Sequence, residues 1–500
     1  MACTTILVGK KASFDGSTMI ARNEDQGNGT FMAKNFIAIP ADQQVRDYTS
    51  VLSHVHIQLP DDPLDYEAIP NANPKEGNWS SAGINAAGVG MSATETLTTN
   101  ERVQGLDPLV DYQPARGNEG DADYAPEVPG GIGEEDMVTI VLPYIHSARE
   151  GVQRLGSLLE EYGTYEMNGI GFNDVNEIWW LETIGGHHWM ARRVPDDAYV
   201  TMPNQLGLDT FDFDDAYGDQ HDFMCSADLR EFVEKNHLDL SMDGKINPRD
   251  AFGSHSDTDH VYNTPRAWEM QRWLNPHAEA WDDKLSGLQP TSDDIPWCRV
   301  PERKITVEDV KYVLSMHYQE TEYDPYSGFG PNKGKYRPIG INRTSQLVLC
   351  HIRSDAPEDA RGIEWVAMGS NMFNAFAPFY SGVHTTPDYV SNATDTVTTN
   401  NFYWANRLVA ALADPYLHEG AGAVINRYQQ AVGSQGWAII HETDKQLSVQ
   451  GLDDEARRQI KEAANQKTAD MLRAETDKLL DEVLYIASMN MKSAFSLNDA

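Results

Sequence analysis

The sequence predicts an α+β fold in which antiparallel sheets are stacked and covered by helices. Short β-branched, apolar runs alternate with turn-rich segments in the first 200 residues, which is typical of paired strands. Amphipathic helical patterns lie between such runs and at the end of the chain. Neither an internal repeat nor a low-complexity linker interrupts the 500 residues, so an α+β body with sheets and helices interleaved is the economical interpretation.

The predicted strands begin at residue 3. CTTILVG is followed by the turn-rich KKASFDGS and by TMIARNED, which together predict a hairpin. A second glycine-punctuated pair is predicted in SAGINAAGVGMSATET, around Asn85 and Gly88. Residues 169–194 are predicted to form two strands joined by Gly185 and Gly186.

Helices and loops complete the prediction. LPYIHSAREGVQRLGSLLEEYGT carries apolar residues at helical spacing and ends near Gly163; these residues are Ile145, Val152, Leu155, Leu158 and Leu159. Asp453 can cap a long C-terminal helix over about 453–489. Two acidic, turn-rich stretches, 113–136 and 205–224, are predicted to be long surface loops.

Composition and charge limit the classes of partner that the protein can bind. With 40% hydrophobic residues the chain can bury a large core, and its net charge of -37 repels nucleic acid and anionic membranes. We expect neither as a partner. The amino terminus lacks a signal-like apolar segment, and the four cysteines show neither zinc-cluster nor disulfide spacing, which favours a reducing, cytoplasmic location. Large acidic enzymes are often homo-oligomers, so a homo-oligomer stays open.

Cys3 is the candidate nucleophile because of its position. A cysteine is ordinarily buried filler. If Met1 and Ala2 are removed, however, Cys3 carries both a thiol and a free α-amine, whose ordinary pKa near 8 suits a general base. Residues 1–2 are then a short prosegment, and residues 3–500 are the mature domain.

Arg22 and Asp25 are the candidate supporting residues. They lie at the end of the second predicted strand, which returns toward residue 3. An arginine beside a thiol favours the thiolate, and an aspartate can orient the amine. An exposed ion pair at a strand end is the alternative for this pair.

The first 25 residues, MACTTILVGKKASFDGSTMIARNED, resemble the start of the peptidase family C69 dipeptidases, which belong to the N-terminal nucleophile hydrolases. The resemblance continues through GIGEEDMVTIVLPYIHSAREGVQRLG, NEIWWLETIGGHHWMARRVPDD, MPNQ and YNTPRAW. It implies a four-layer αββα sandwich, here with additional C-terminal helices. It also implies a cysteine nucleophile uncovered by processing, and hydrolysis of dipeptides without a metal or cofactor.

The wider relatives, penicillin V acylase and bile salt hydrolase, suggest further site residues. Their cysteine is followed by an R-x-x-D pattern that Arg22 and Asp25 match. Their oxyanion-binding asparagine resembles Asn204 in VTMPNQLGLDTFD, and their later arginine resembles Arg266 in YNTPRAW. Where they have a second oxyanion asparagine, this chain has Glu95, which cannot donate when ionised. A backbone N–H is left for that role.

The implied reaction is acyl transfer. The Cys3 thiolate attacks the peptide carbonyl, Asn204 and a backbone donor bind the oxyanion, and the α-amine protonates the leaving amine. Water, activated by the same amine, then hydrolyses the thioester. The residues that bind the substrate's two charged ends are not identified by the sequence, nor is the agent that removes Ala2.

Other residues suggest chemistry less strongly. GSHSDTDH contains metal-ligand types at His255, Asp257, Asp259 and His260, but their spacing matches no zinc helix, which favours a polar loop. Two other functions stay open. An N-acyl amide hydrolase would keep the same catalytic residues, and a secernin-like regulatory protein would keep Met1 and Ala2 on a site without activity.

Overall fold

The computed structural model describes residues 3–27, 31–281, 283, 285, 287–327 and 329–493. In these residues the strands, numbered in chain order, are β1 Thr4–Val8, β2 Thr18–Asp25, β3 Ile37–Ile39, β4 Asp47–Thr49, β5 His56–Gln58, β6 Tyr66–Ala68, β7 Ala82–Ile84, β8 Gly90–Thr96, β9 Asn168–Asn173, β10 Ile178–Thr183, β11 Trp189–Arg193, β12 Tyr199–Met202, β13 Phe223–Cys225, β14 Cys298–Arg299, β15 Thr344–Ile352, β16 Gly362–Met368 and β17 Ala377–Tyr380. The α-helices are α1 Glu101–Leu106, α2 Glu134–Val141, α3 Ala148–Tyr162, α4 Phe213–Ala216, α5 Leu229–Lys235, α6 Pro248–Phe252, α7 Asp259–Tyr262, α8 Thr264–Leu274, α9 Val307–Val313, α10 Asp388–Ser391, α11 Phe402–Ala413, α12 Gly422–Leu447 and α13 Asp454–Met489.

Two large antiparallel sheets organise the chain, as an α+β fold requires. One has seven strands in the order β14-β12-β1-β2-β15-β16-β17, and the other has six in the order β13-β11-β10-β9-β8-β7. The predicted first hairpin is β1–β2, in which Thr5 lies opposite Arg22. Because β1 also pairs with β12, the amino-terminal strand is an interior strand of its sheet.

The prediction of two strands over 169–194 is wrong, because β9, β10 and β11 all lie there. Gly185 and Gly186 do separate β10 from β11, as predicted. The extra reversal uses Asp174, whose Oδ1 accepts hydrogen bonds from the backbone N–H groups of Asn176 and Glu177. Such an Asx-type turn needs no glycine.

The two sheets pack face to face through apolar side chains. Leu7 and Ile20 from the seven-stranded sheet share one buried cluster with Trp180 and Met190 from the six-stranded sheet. Gly171 on β9 permits a close approach, since a Cβ there would lie 3.3 Å from Leu7 Cδ2. Because successive side chains of a strand point to opposite faces of the sheet, every second side chain of β1 and β2 faces the six-stranded sheet.

Helices cover the outer faces of both sheets. Apolar residues of α2 and α3 form a buried cluster with the six-stranded sheet. The outer face of the seven-stranded sheet packs against α8, α9 and α12. The arrangement follows from amphipathic helices burying their apolar sides on sheet faces that are apolar in turn.

The two predicted helices form with small differences in their bounds. The hydroxyl of Ser147 caps α3, and the helix ends at Gly163, whose φ of 69° is in the left-handed region. Ile145 lies before α3 rather than in it. At the other end of the chain, the carboxylate of Asp453 accepts the Ala456 N–H at 2.8 Å and caps α13. None of the described helices is long and apolar enough to cross a membrane.

The predicted loops are only partly at the surface. Residues 113–133 are largely exposed, but α2 begins at Glu134 and is buried. In the second stretch, Leu206 and Leu208 lie in the core cluster between the sheets. The sequence did not predict burial of these two leucines, because turn formers dominate residues 205–224. Their side chains hold the segment after β12 against the protein body.

Candidate active site

Cys3 lies directly before β1 and its side chain is fully buried. Met1 and Ala2, the predicted prosegment, lie outside the described residues. Since residues 3, 5 and 7 alternate with 4, 6 and 8, the Cys3 side chain shares the sheet face of Leu7, which is directed at the six-stranded sheet. The nucleophile candidate is thus between the two sheets, at the start of an interior strand.

Arg22 is brought against the thiol by the β1–β2 pairing. Its Nη1 donates to Cys3 Sγ at 3.0 Å, and its Nη2 donates to the Ser81 carbonyl at 3.0 Å and to the Ala93 carbonyl. Glu134, the first residue of α2, lies 3.5 Å from Nη1. Burial alone would lower the pKa of Arg22, but the neighbouring Cys3 and Glu134 raise it above its ordinary value. The guanidinium is therefore a fixed cation beside the sulfur.

The thiol is nevertheless held in its protonated form. Burial raises the pKa of Cys3 to about 12, and it outweighs the opposing attraction of Arg22. The negative charges of Glu95 and Glu134 raise it further. A nearby cation lowers a thiol pKa, so the α-ammonium that processing would create at residue 3 acts in the direction of a thiolate.

Asp25 lies on the opposite face of β2 from Arg22, because the two are three residues apart. It is fully buried, and its carboxylate accepts hydrogen bonds from the Thr344 hydroxyl at 2.5 Å and from Arg337. Asp25 is also close enough for its charge to act on the pKa values of Arg266 and Glu95. The alternative of an exposed ion pair is wrong, since both residues are buried.

Arg266 connects the backbone of Cys3 with Asn204. Its Nη1 donates to the Cys3 carbonyl and to the Thr4 hydroxyl, and its Nη2 donates to Asn204 Oδ1 at 2.9 Å. Arg266 comes from α8, at whose start it also binds the Tyr262 carbonyl at 2.7 Å. Arg266, assigned by its resemblance to the later arginine of the wider relatives, thus contacts the candidate nucleophile residue directly.

Asn204 is held at both ends of its amide. While Oδ1 accepts from Arg266, Nδ2 donates to the Thr96 carbonyl at 3.0 Å. Thr96 ends β8, the strand that also supplies the carbonyl of Ala93 to Arg22. The structure therefore brings Cys3, Arg22, Asn204 and Arg266 into one connected network at the end of β8, with Asp25 beside it.

Glu95 lies in the same network. Its Oε2 accepts the Thr5 hydroxyl at 2.7 Å, whereas its buried Oε1 has no hydrogen-bond partner among the described residues. Burial raises its pKa to about 8, against the opposing attraction of Arg266. The carboxyl group therefore keeps its proton to a higher pH than an ordinary glutamate does.

A buried ion pair supports β2 behind Arg22. Lys34 Nζ lies 2.7 Å from Glu24 Oε1, and both side chains are fully buried. Lys34→Met is expected to lower the free energy of unfolding by about 3 to 5 kcal/mol, because it leaves a buried carboxylate without its cation. Urea-induced unfolding measures this change. Adding Glu24→Gln should restore part of the lost free energy of unfolding. A loss below about 1 kcal/mol in Lys34→Met alone would contradict a stabilising role for this ion pair.

The two histidines of the GSHSDTDH segment share Asp293 as a partner, with His255 Nδ1 3.8 Å from Asp293 Oδ1. His260 Nε2 lies 2.9 Å from Asp293 Oδ1, while Asp259 accepts from the Ser254 and Ser256 hydroxyls. In the part of the chain that is described, no group of three His, Cys, Asp or Glu side chains is arranged as metal ligands. Burial raises the pKa of the three further thiols, those of Cys225, Cys298 and Cys350.

Several site residues were not identified from the sequence. Glu134 lies in the motif GIGEED and Asn263 lies in YNTPRAW, so membership of a motif could have identified both as site residues. Asn263 Oδ1 accepts a hydrogen bond from Arg266 Nη2 at 2.7 Å. Arg337, which binds Asp25, lies in a segment without any motif. Only long-range folding brings it to the site.

Comparison with known proteins shows the family to which the chain belongs. The model of peptidase family C69 matches residues 2–430. The chain is 57% identical to a dipeptidase of Bifidobacterium longum (strain NCC 2705), over all of both chains. It is 51% identical to a probable dipeptidase A of Streptococcus pyogenes serotype M3 (strain SSI-1), again over all of both chains. It is 43% identical to dipeptidase A of Lactobacillus helveticus, over 96% of each. The chain therefore belongs to peptidase family C69, a family of cysteine-type peptide-bond hydrolases.

Proposed function

We propose that this protein is a dipeptidase that uses Cys3, as the amino-terminal residue of the mature chain, for nucleophilic catalysis. The observation that carries the proposal is the 3.0 Å contact between Arg22 Nη1 and Cys3 Sγ at the very start of the chain. The names of the full-length relatives from Bifidobacterium, Streptococcus and Lactobacillus support dipeptides as substrates. In this proposal the two sheets and their covering helices are the four-layer αββα sandwich of N-terminal nucleophile hydrolases.

The first half of the reaction is acylation. The α-amine of Cys3 takes the thiol proton, and the thiolate, held beside Arg22, attacks the carbonyl carbon of the peptide bond. Asn204 and a backbone N–H bind the oxyanion of the tetrahedral intermediate. The α-ammonium then gives its proton to the departing amine and the C–N bond breaks. The second amino acid departs, and the acyl group of the first remains bound to Cys3 as a thioester.

The second half is hydrolysis of the thioester. The α-amine accepts a proton from a water molecule as its oxygen attacks the thioester carbonyl, and the C–S bond breaks. The first amino acid leaves and the thiol regains its proton. Asp25 orients the amine from the end of β2, and Arg266 fixes both the Cys3 carbonyl and the side chain of Asn204. These two are positioning residues rather than reacting groups.

A substrate panel together with intact-mass measurement tests the proposal. Protein whose mass shows loss of Met1 and Ala2 is expected to hydrolyse unblocked dipeptides and to leave N-acyl amino acids largely intact. Faster cleavage of N-acyl substrates would instead make it an acylase of the same fold. Protein that retains both residues and cleaves neither class would favour the regulatory alternative.

Chelation separates cysteine chemistry from metal chemistry. Because the proposed reaction uses a thiol and an amine, exhaustive treatment with a chelator is expected to leave dipeptide hydrolysis unchanged. A thiol-alkylating reagent is expected to remove it. The measurement is the initial rate before and after each treatment. Loss on chelation, with recovery on adding zinc or manganese, would contradict the proposal and direct attention to His255–His260.

A further inference from the structure

The chemistry of a dipeptide limits where its charged end can lie. The α-ammonium nitrogen is two bonds from the carbonyl carbon that is attacked, a separation of roughly 2.5 Å by ordinary backbone geometry. An attacking sulfur lies about 3 to 3.5 Å from that carbon. The ammonium is therefore roughly 4 to 6 Å from Cys3 Sγ, and the anion that binds it lies about 3 Å farther on.

Glu95 is the buried acid whose contacts place it near the Cys3 side chain within this range. It binds the hydroxyl of Thr5, and Thr5 is two residues from Cys3 on the same face of the chain, about 7 Å along a strand. When it is ionised, Glu95 is also close enough to raise the pKa of the Cys3 thiol. The carboxyl group and the sulfur thus line the same space between the two sheets.

The bonding of Glu95 leaves it suited to a cation. It is fully buried, Thr5 is a neutral donor to Oε2, and Oε1 has no hydrogen-bond partner among the described residues. A buried carboxyl oxygen without a partner is costly, so a ligand that supplies an N–H group is favoured there. Glu134, the other acid near the thiol, is already in an ion pair with Arg22.

We infer that Glu95 binds the α-ammonium group of the substrate and thereby selects unblocked peptides over N-acylated ones. This inference rests on the proposed dipeptidase function and names a specificity-determining residue for it. The incoming ammonium replaces the proton that burial favours on Glu95 before the substrate binds. An N-acyl substrate brings no positive charge and cannot make this replacement.

Two substrates that differ only in the amine test the inference. Alanyl-alanine carries the ammonium group, and propanoyl-alanine is the same molecule without it. The wild-type enzyme is expected to prefer alanyl-alanine by about 100-fold or more in kcat/KM, because a buried polar group rejects a ligand that leaves it unpaired. In Glu95→Gln, which keeps an acceptor for Thr5, the preference is expected to fall to within about 10-fold.

Two further variants provide controls. Glu134→Gln removes the carboxylate next to Arg22, so it should slow both substrates together and keep their ratio. Thr5→Val removes the hydroxyl that holds Glu95 while retaining the shape of the side chain, so it should lower the ratio with Glu95 still present. If Glu95→Gln does not fold, as judged by thermal unfolding, Thr5→Val carries the test.

The outcomes separate this inference from the proposed function. An unchanged substrate ratio in Glu95→Gln, or in Thr5→Val where that variant carries the test, overturns the role of Glu95. If alanyl-alanine cleavage still depends on Cys3, the dipeptidase assignment remains in that case. A wild-type enzyme that cleaves propanoyl-alanine faster than alanyl-alanine overturns both.

Discussion

Cys3→Ala is expected to abolish dipeptide hydrolysis, with a loss of roughly 10^4-fold or more in kcat, because the variant has no group that can form the thioester. Arg22 and the rest of the network remain in this variant, so binding should survive while turnover does not. Steady-state kinetics with a dipeptide, on protein whose mass and thermal unfolding are checked, measure the effect.

The other cysteines are matched controls. Cys225→Ala, Cys298→Ala and Cys350→Ala remove a thiol that has no α-amine beside it, and each is expected to retain most of the activity. Cys350 is fully buried in β15, so its replacement tests whether loss of a core thiol alone lowers turnover. Full activity in Cys3→Ala would refute the nucleophile assignment.

Blocking the removal of Met1 and Ala2 is expected to give an inactive protein. While residue 3 is joined to residue 2, its nitrogen is an amide without a basic lone pair, and burial holds the thiol protonated with a pKa of about 12. A proline inserted immediately before Cys3 should resist processing. Dipeptide turnover and the rate of thiol alkylation are both expected to fall to the background of Cys3→Ala.

A second variant restores the free cysteine by another route. When Met1 is followed directly by Cys3, ordinary methionine removal exposes the same α-amine, so activity is expected to equal that of the wild type. Intact mass reports the amino terminus of each protein. If the uncleaved proline variant turned over dipeptides at the wild-type rate, the α-amine would not be the base, and a separate base would have to be identified.

The sequence was most informative where the chemistry is local. The strand pattern around residues 3–25 predicted the β1–β2 hairpin, and the hairpin is what brings Arg22 to Cys3. Glycine and apolar spacing predicted α3, and the Asp453 cap predicted the start of α13. It failed for 169–194 and 205–224, where an Asx-type turn and two buried leucines contradicted what the glycine and turn-former content indicated.

By itself, the sequence determined which residue types are available and where the chain can reverse, because periodicity and turn chemistry act over a few residues. Chain position and strand pattern identified Cys3, Arg22 and Asp25 as candidates, and the resemblance to known families added Asn204 and Arg266. Only the tertiary structure decided which of them share a network, because α8 reaches Cys3 across 263 residues and β8 reaches Thr5 across 90 residues. It also decided that the pKa values of Glu95 and Cys3 are raised, since burial, which no local pattern encodes, is the largest influence on both.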